Sequence, residues 1–255
     1  MLIPRFYKAV QFTGRLCRIW ERLEINYVGL KRMVIMKIYP RVKRCVDVVL
    51  SLIGLILLLP LFVLIAILIR IDSKGPVFFK QKRVGKHKKH FYILKFRTMI
   101  ASAPKDVPTH LTLNSDQLST KLGKLLRKSS MDELPQLINI LRGEMSIIGP
   151  RPALWNQYDL IEERDKYGAN NIVPGLTGWA QINGRDEITI EVKSKYDGVY
   201  VEKLSFWFDV KCIYWTVVKV LKSDGIVDGG PMTEGLTENN FTNESRENTK
   251  STIEV

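Results

Sequence analysis

Hydrophobic and polar positions divide this chain into stretches of distinct character. From Val48 to Ile69 no position is charged, and Leu and Ile would surround any helix drawn through the run. About 22 such residues reach the length of a membrane helix, and the missing polar face argues against an amphipathic helix on a soluble core. Before it, Arg and Lys alternate with Phe6, Tyr7, Phe12, Trp20 and Tyr27, the composition of an interfacial amphipathic helix. After it, Pro76–Phe79 and His90–Arg97 predict two strands around a turn at Gly85, with a basic tip suited to anionic lipid. Asp106–Asp116 reads as loop, Leu118–Lys128 as a short amphipathic helix, and Leu137–Arg142 as a helix that Gly143 ends as C-cap. Aromatic residues from Ser205 to Leu221 fit a second interfacial helix, at the headgroup level or against the protein core. Beyond Gly229 no apolar period survives, which predicts disorder. The expected divisions are an interfacial segment (1–38), an apolar membrane helix (39–72), a globular domain (73–228) and a tail (229–255).

Orientation of the apolar helix is not set by charge. Lys37, Arg41, Lys43 and Arg44 precede it, while Arg70, Lys74, Lys80, Lys82 and Arg83 follow, so the positive-inside rule selects neither side. Pro60 near its middle removes one helical hydrogen bond and kinks the axis. The expectation is a re-entrant helix that bends at Pro60 and returns, leaving both ends on the cytoplasmic side; a true span containing proline is the alternative.

A net charge of +13 demands anionic partners, which nucleic acid, acidic lipid and phosphorylated substrates all satisfy. Cys17, Cys45 and Cys212 are scattered without disulfide or zinc spacing, consistent with a reducing compartment. His87, His90 and His110 are the only histidines, and the first two lie in a cationic run that repels metal ions, so they read as solvated surface.

The densest chemistry is Arg127-Lys128-Ser129-Ser130-Met131-Asp132-Glu133-Leu134-Pro135. Pro135 belongs in a first helical turn, which places Met131 or Asp132 near the N-cap, beside free amides and the positive dipole end. That place can hold a phosphate, with a divalent ion bridging it to a carboxylate. The competing reading is structural: Asp132 caps the helix, or Ser130 and Glu133 form a capping box. Downstream, prolines on both sides of Arg151 fix a guanidinium in one direction, suited to bidentate phosphate binding or to a plain rigid turn. Pro174–Arg185 is a second rigid loop, whose glycines permit close backbone approach and whose Gln181, Asn183 and Arg185 offer donors to a nucleotide or diphosphate. Neither a Walker A nor a Gly-x-Gly-x-x-Gly run is present.

In order, the apolar segment, Gly75-Pro76-Val77-Phe78-Phe79, Lys95-Phe96-Arg97-Thr98-Met99, Asp132-Glu133-Leu134-Pro135-Gln136, Gly149-Pro150-Arg151-Pro152 and Gly178-Trp179-Ala180-Gln181 closely resemble the bacterial sugar transferases, the monotopic polyprenyl-phosphate phosphoglycosyl transferases. The resemblance runs from about Tyr39 to Leu221. It implies a helix-rich α+β fold: a monotopic membrane protein with one re-entrant, Pro-kinked helix, a β-hairpin and amphipathic interfacial helices around a compact cytoplasmic catalytic domain. The implied reaction moves a sugar phosphate from a nucleoside diphosphate sugar, expected to be a UDP-sugar, to polyprenyl (undecaprenyl) phosphate at the bacterial inner membrane, as the first step of a surface polysaccharide or glycoconjugate. Mapped onto this chain, Asp132 is the nucleophile, Glu133 the Mg²⁺ ligand, and Lys95, Arg97, Arg127, Arg151 and Arg185 bind phosphates, with Gln181 near the nucleotide. The family's bend is commonly Ser-Pro, whereas Leu59 precedes Pro60 here.

Two rivals stand beside this reading: a membrane glycosyltransferase moving the sugar without its phosphate, and a non-enzymatic basic adaptor. Nucleic acid is not expected as partner, because no helix-turn-helix or base-stacking pattern is present. The sugar, the final polymer and a homo-oligomeric state stay open.

Overall fold

A computed structural model of the chain describes residues 3–104, 115–184 and 188–222. The tail, Arg185, the 105–114 part of the expected loop and the aromatic side chains before residue 38 lie outside the described residues. Helix α1 runs from Ile3 to Asp72, passing from the interfacial segment into the apolar one without a break and containing Pro40 and Pro60. Its Ile38–Asp72 part is long and apolar enough to cross a membrane.

The expected hairpin forms around Gly85, but its first strand starts two residues later than Pro76 and runs five residues past Phe79: β1 (Phe78–Val84) pairs antiparallel with β2 (His90–Phe96), Phe78 opposite Phe96 and Val84 opposite His90. At its tip, however, Lys88 pairs with Asp165, and His87 Nδ1 approaches Asn171 Oδ1 at 3.4 Å. At least part of the basic tip is therefore held by the protein instead of being turned toward lipid. His87 and His90 are exposed, as expected.

The expected helix at Leu118–Lys128 is two pieces, α2 (Ser115–Leu118) and α3 (Lys121–Lys128). Ser119 bridges to Met99, and the Thr120 side chain accepts from Gly123 N–H at 3.0 Å, so a Thr N-cap restarts the helix. Helix α4 (Gln136–Arg142) ends at Gly143, whose φ of 83° is the left-handed C-cap geometry that glycine adopts without strain. A short parallel pair follows, β3 (Ser146–Ile148) beside β4 (Gly175–Thr177), with α5 (Tyr158–Asp165) between them in the chain. Helices α6 (Trp179–Ile182), α7 (Ile190–Glu202) and α8 (Phe206–Lys222) complete the domain.

Phe91 and Ile93 on one face of the hairpin pack with Ile140 and Met145, while Phe96 on the other packs with Ile65, Ile69 and Leu126. The hairpin thus lies between α4 and the C-terminal part of α1. Tyr200 and Cys212 close a further cluster around Ile148 and Ile182. Burial pushes the Cys212 thiol up to about 12, so it stays protonated and serves as a small apolar residue.

Polar contacts fasten α1 to this domain. Tyr39 and Lys43 both reach Asp209 Oδ2 at 2.5 Å, Arg44 donates to the carbonyls of Ile140 and Leu141, and buried Asp47 accepts from Ser146 Oγ at 2.7 Å and Ile147 N at 3.1 Å. The faces of α1 and α8 away from these contacts are unburied: Leu57 is 73% exposed and Trp207 77%. Contiguous apolar surface of this kind marks a site of membrane or protein contact. Helix α8 divides its aromatics, with Phe208 packed against the core, as one of the two expectations has it, and Trp207 exposed.

Candidate active site

The acid pair stands in a 3₁₀ turn, Met131–Glu133, between α3 and α4. Ser130 leads into it at φ 57°, a conformation uncommon for a residue with a side chain and concentrated at functional sites. Neither carboxylate caps α4: its N-cap position is Pro135, without a side-chain hydrogen bond, and Ser130 makes none as a cap either. The capping readings are thereby replaced. Pro135 enters with helical backbone angles, and the acids lie in the preceding turn, as its missing N–H favours.

Glu133 is instead met by two cations. Its Oε1 accepts from Lys95 Nζ at 2.7 Å and from Arg151 Nη2 at 2.6 Å, with Arg151 Nη1 at 3.3 Å from Oε2. Asp132 Oδ2 has the same lysine at 3.8 Å. Arg127 adds its charge to the field at Asp132 while bonding Thr98 Oγ1 and Ser119 Oγ. Strand β2, the 3₁₀ turn and the loop after β3 thus bring Lys95, Asp132, Glu133 and Arg151 together, with Arg127 alongside.

This environment separates the two acids. Burial and the neighbouring Glu133 charge raise the Asp132 carboxyl above the ordinary carboxylate range, against the opposing pull of Lys95. Burial also works against ionised Glu133, but Arg151 and Lys95 overcome it and hold that carboxyl well below its usual range. The same surroundings thus push the two carboxyls in opposite directions, favouring the anion at Glu133 and opposing it at Asp132.

Other sequence candidates are placed elsewhere. Arg97 is 5% exposed and donates to Ser73 O, Ser73 Oγ and Lys74 O, satisfying carbonyls just past the end of α1. Gln181 turns onto its own loop, its Nε2 donating to Leu176 O at 3.0 Å while its buried Oε1 has no partner. Pro60 lies within α1, whose backbone stays helical through it.

The Arg151 loop and the second glycine loop are joined by the β3–β4 pairing. Gly149 N–H donates to Thr177 O at 2.8 Å and Gly175 N–H to Pro150 O at 2.9 Å. The sequence reading missed the support behind Arg151: Arg164 donates to its carbonyl at 2.8 Å and is itself paired with buried Asp197. Nothing local marks these residues, since they lie on α5 and α7.

Among the described residues no group of three His, Cys, Asp or Glu side chains gathers to cage a metal ion. Mg²⁺ does not require one, because it is commonly bound through one or two carboxylates plus substrate phosphates. Adjacent Asp132 and Glu133 are such a donor pair, so the residues present fit an ion that arrives with a diphosphate.

Residues 38–223 match the family described as "Bacterial sugar transferase". Among relatives, the chain is 46% identical over 158 residues to "Uncharacterized sugar transferase EpsL" of Bacillus subtilis, covering 62% of this chain and 76% of that protein. It is 41% identical over 185 residues to "UDP-glucose:undecaprenyl-phosphate glucose-1-phosphate transferase" of Escherichia coli, covering 69% of this chain and 39% of that one. It is 36% identical over 196 residues to "UDP-N-acetylgalactosamine-undecaprenyl-phosphate N-acetylgalactosaminephosphotransferase" of Aeromonas hydrophila, covering 74% and 45%. The chain thus matches less than half the length of the latter two.

Proposed function

The chain belongs to the bacterial sugar transferase family, and on that premise we propose that it transfers a sugar 1-phosphate from a UDP-sugar to undecaprenyl phosphate, releasing UMP. The observation that carries this reading is the meeting of Lys95 and Arg151 on Glu133, with the same lysine 3.8 Å from Asp132. A carboxylate attacks phosphorus only where anion–anion repulsion is suppressed, and Lys95, Arg127 and Arg151 surround this one.

Ionised Asp132 attacks the sugar-bearing phosphorus, and the bond between that phosphorus and the bridging oxygen breaks. UMP leaves with the bonding pair, and an acyl phosphate joins Asp132 to the sugar phosphate. A phosphate oxygen of undecaprenyl phosphate then attacks the same phosphorus, forming the lipid diphosphate sugar and restoring the carboxylate. Lys95 and Arg151 neutralise phosphate oxygens as charge moves between them. Glu133, with Asp132 beside it, would hold Mg²⁺, which supplies Lewis-acid neutralisation of the diphosphate when bound.

The fastening of α1 supports the re-entrant reading. Contacts from Tyr39 to Asp209 and from Ile69 to Phe96 attach both ends of the apolar segment to one domain. They lie about 45 Å apart along the helical path at its usual rise, against about 30 Å of bilayer hydrocarbon. A straight span keeping both sets would draw the domain into the lipid. We accordingly place the protein on one leaflet of the inner membrane with its catalytic face toward the cytoplasm.

The test uses the full chain in lipid nanodiscs, with radiolabelled UDP-glucose and UDP-N-acetylgalactosamine supplied without acceptor. One of them should leave labelled sugar phosphate on the wild type and none on Asp132→Asn, with UMP as coproduct. Release of UDP would instead establish the glycosyltransferase reading, and no turnover with any donor would favour the adaptor.

A further inference from the structure

Four consecutive carbonyls around Arg151 are held from outside their loop. Pro150 O accepts from Gly175 N at 2.9 Å, Arg151 O from Arg164 Nη1 at 2.8 Å, Pro152 O from Arg83 Nη1 at 3.0 Å, and Ala153 O from Val84 N at 2.9 Å. The outer two are main-chain bonds. The inner two, Arg151 O and Pro152 O just after the Arg151 side chain, accept from guanidinium groups.

Using charge for this purpose is energetically demanding. Arg164 is 3% exposed and Asp197 is completely buried, so the pair gives up its hydration, and such a pair contributes little net stability relative to apolar packing. What it supplies is direction. Arg164 Nε and Nη2 rest on Asp197 Oδ2 at 2.8 and 2.6 Å, which aims the remaining Nη1 at the Arg151 carbonyl. Arg83 is fixed likewise, with Nε and Nη2 on Gln81 Oε1 at 3.0 and 2.5 Å and Nη1 on Pro152 O. Both use the planar fork that lysine lacks.

We propose that Arg83 and Arg164, the latter oriented by Asp197, are positioning residues that fix the Arg151 loop so that its guanidinium meets Glu133 and the substrate phosphates. The proposal rests on the sugar-phosphate transfer reading above. They act through Arg151: a long side chain on a loop free to shift by an ångström loses its alignment, and misplacement of that size lowers rates by roughly a hundredfold.

The experiment measures kcat and KM for UMP release by the nanodisc-embedded chain, using whichever of the two UDP-sugars it accepts, for Arg83→Met, Arg164→Lys, Arg151→Lys and the two double variants. Each single variant should lose roughly 10–100-fold in kcat/KM, divided between kcat and KM as in Arg151→Lys. In the Arg151→Lys background, Arg83→Met and Arg164→Lys should each cause less than about a twofold further loss, since residues acting as one unit are not additive. Losses that multiply overturn the proposal, because a merely structural role gives that result.

Hydrogen exchange without substrate separates this inference from the functional one. Peptides spanning residues 149–154 should exchange faster in Arg83→Met and in Arg164→Lys, and unchanged exchange in both overturns the positioning role whatever the activity. A wild type that releases no UMP sinks the transfer reading, while exchange still decides whether these arginines hold the loop.

Discussion

Lys95 and Arg151 converge on a single oxygen, Oε1 of Glu133, at 2.7 and 2.6 Å. Two cations on one carboxylate oxygen are closer to each other than their charges favour, and the anion between them stabilises the arrangement. A diphosphate offers them more oxygens to share. In the proposed mechanism a bound diphosphate takes over both cations and leaves Glu133 to the metal ion.

Lys95→Met should shift the pH dependence of transfer. In the proposed mechanism Asp132 attacks as its anion, and burial together with Glu133 already raises its carboxyl. Lys95 opposes that rise, so its removal extends the protonated, inactive form to higher pH. The acid limb of the kcat/KM profile should move upward, with a loss of about a hundredfold at neutral pH. An unmoved limb would mean that Lys95 does not act on Asp132.

Chelation should stop turnover, and Mg²⁺ should restore it. Glu133→Gln keeps the shape but removes the charged ligand, and should raise the Mg²⁺ concentration for half-maximal rate by about tenfold or more. Titration of UMP release against Mg²⁺ reads this directly. An identical Mg²⁺ dependence in wild type and variant would place the ion elsewhere.

Gly178→Ala should disturb the site from behind. A Cβ at Gly178 would lie 2.0 Å from the main-chain oxygen of Gly149, so β3 and β4 must separate to admit it. Overpacking of this kind costs about 1–3 kcal/mol. The expected result is a lower melting temperature together with reduced transfer, because the Arg151 loop follows Gly149. Unchanged melting and activity would show that the strands can yield freely.

Labelling at the two ends of the apolar segment should report a single side. In a chain with its own cysteines replaced, single cysteines at Ile38 and Ser73 should react with the same impermeant reagent from the same face of sealed vesicles. Reaction from opposite faces would establish a spanning helix and require the α1 contacts to be broken in the membrane.

Gly178 illustrates what sequence alone leaves open. Its motif marked a close backbone approach, but the partner backbone, that of Gly149, comes from a distant loop. Arg97 shows the same limit, since its motif gave no sign that the turn after α1 would claim its guanidinium.

What the sequence by itself determined was local: the uncharged run ending in Ile69, a two-stranded hairpin turning near Gly85, Gly143 as a left-handed stop, and an acid pair placed by Pro135 near the start of a helix. These follow from periodicity and from backbone chemistry acting within a few residues. Only the tertiary structure decided which cations the acids meet, that Arg97 serves the end of α1, that Asp47 fastens an apolar helix to β3, and that Arg164 and Asp197 stand behind Arg151. Those pairings depend on where separate elements pack, and a buried charge accepts whichever opposite charge or dipole the packing brings within reach.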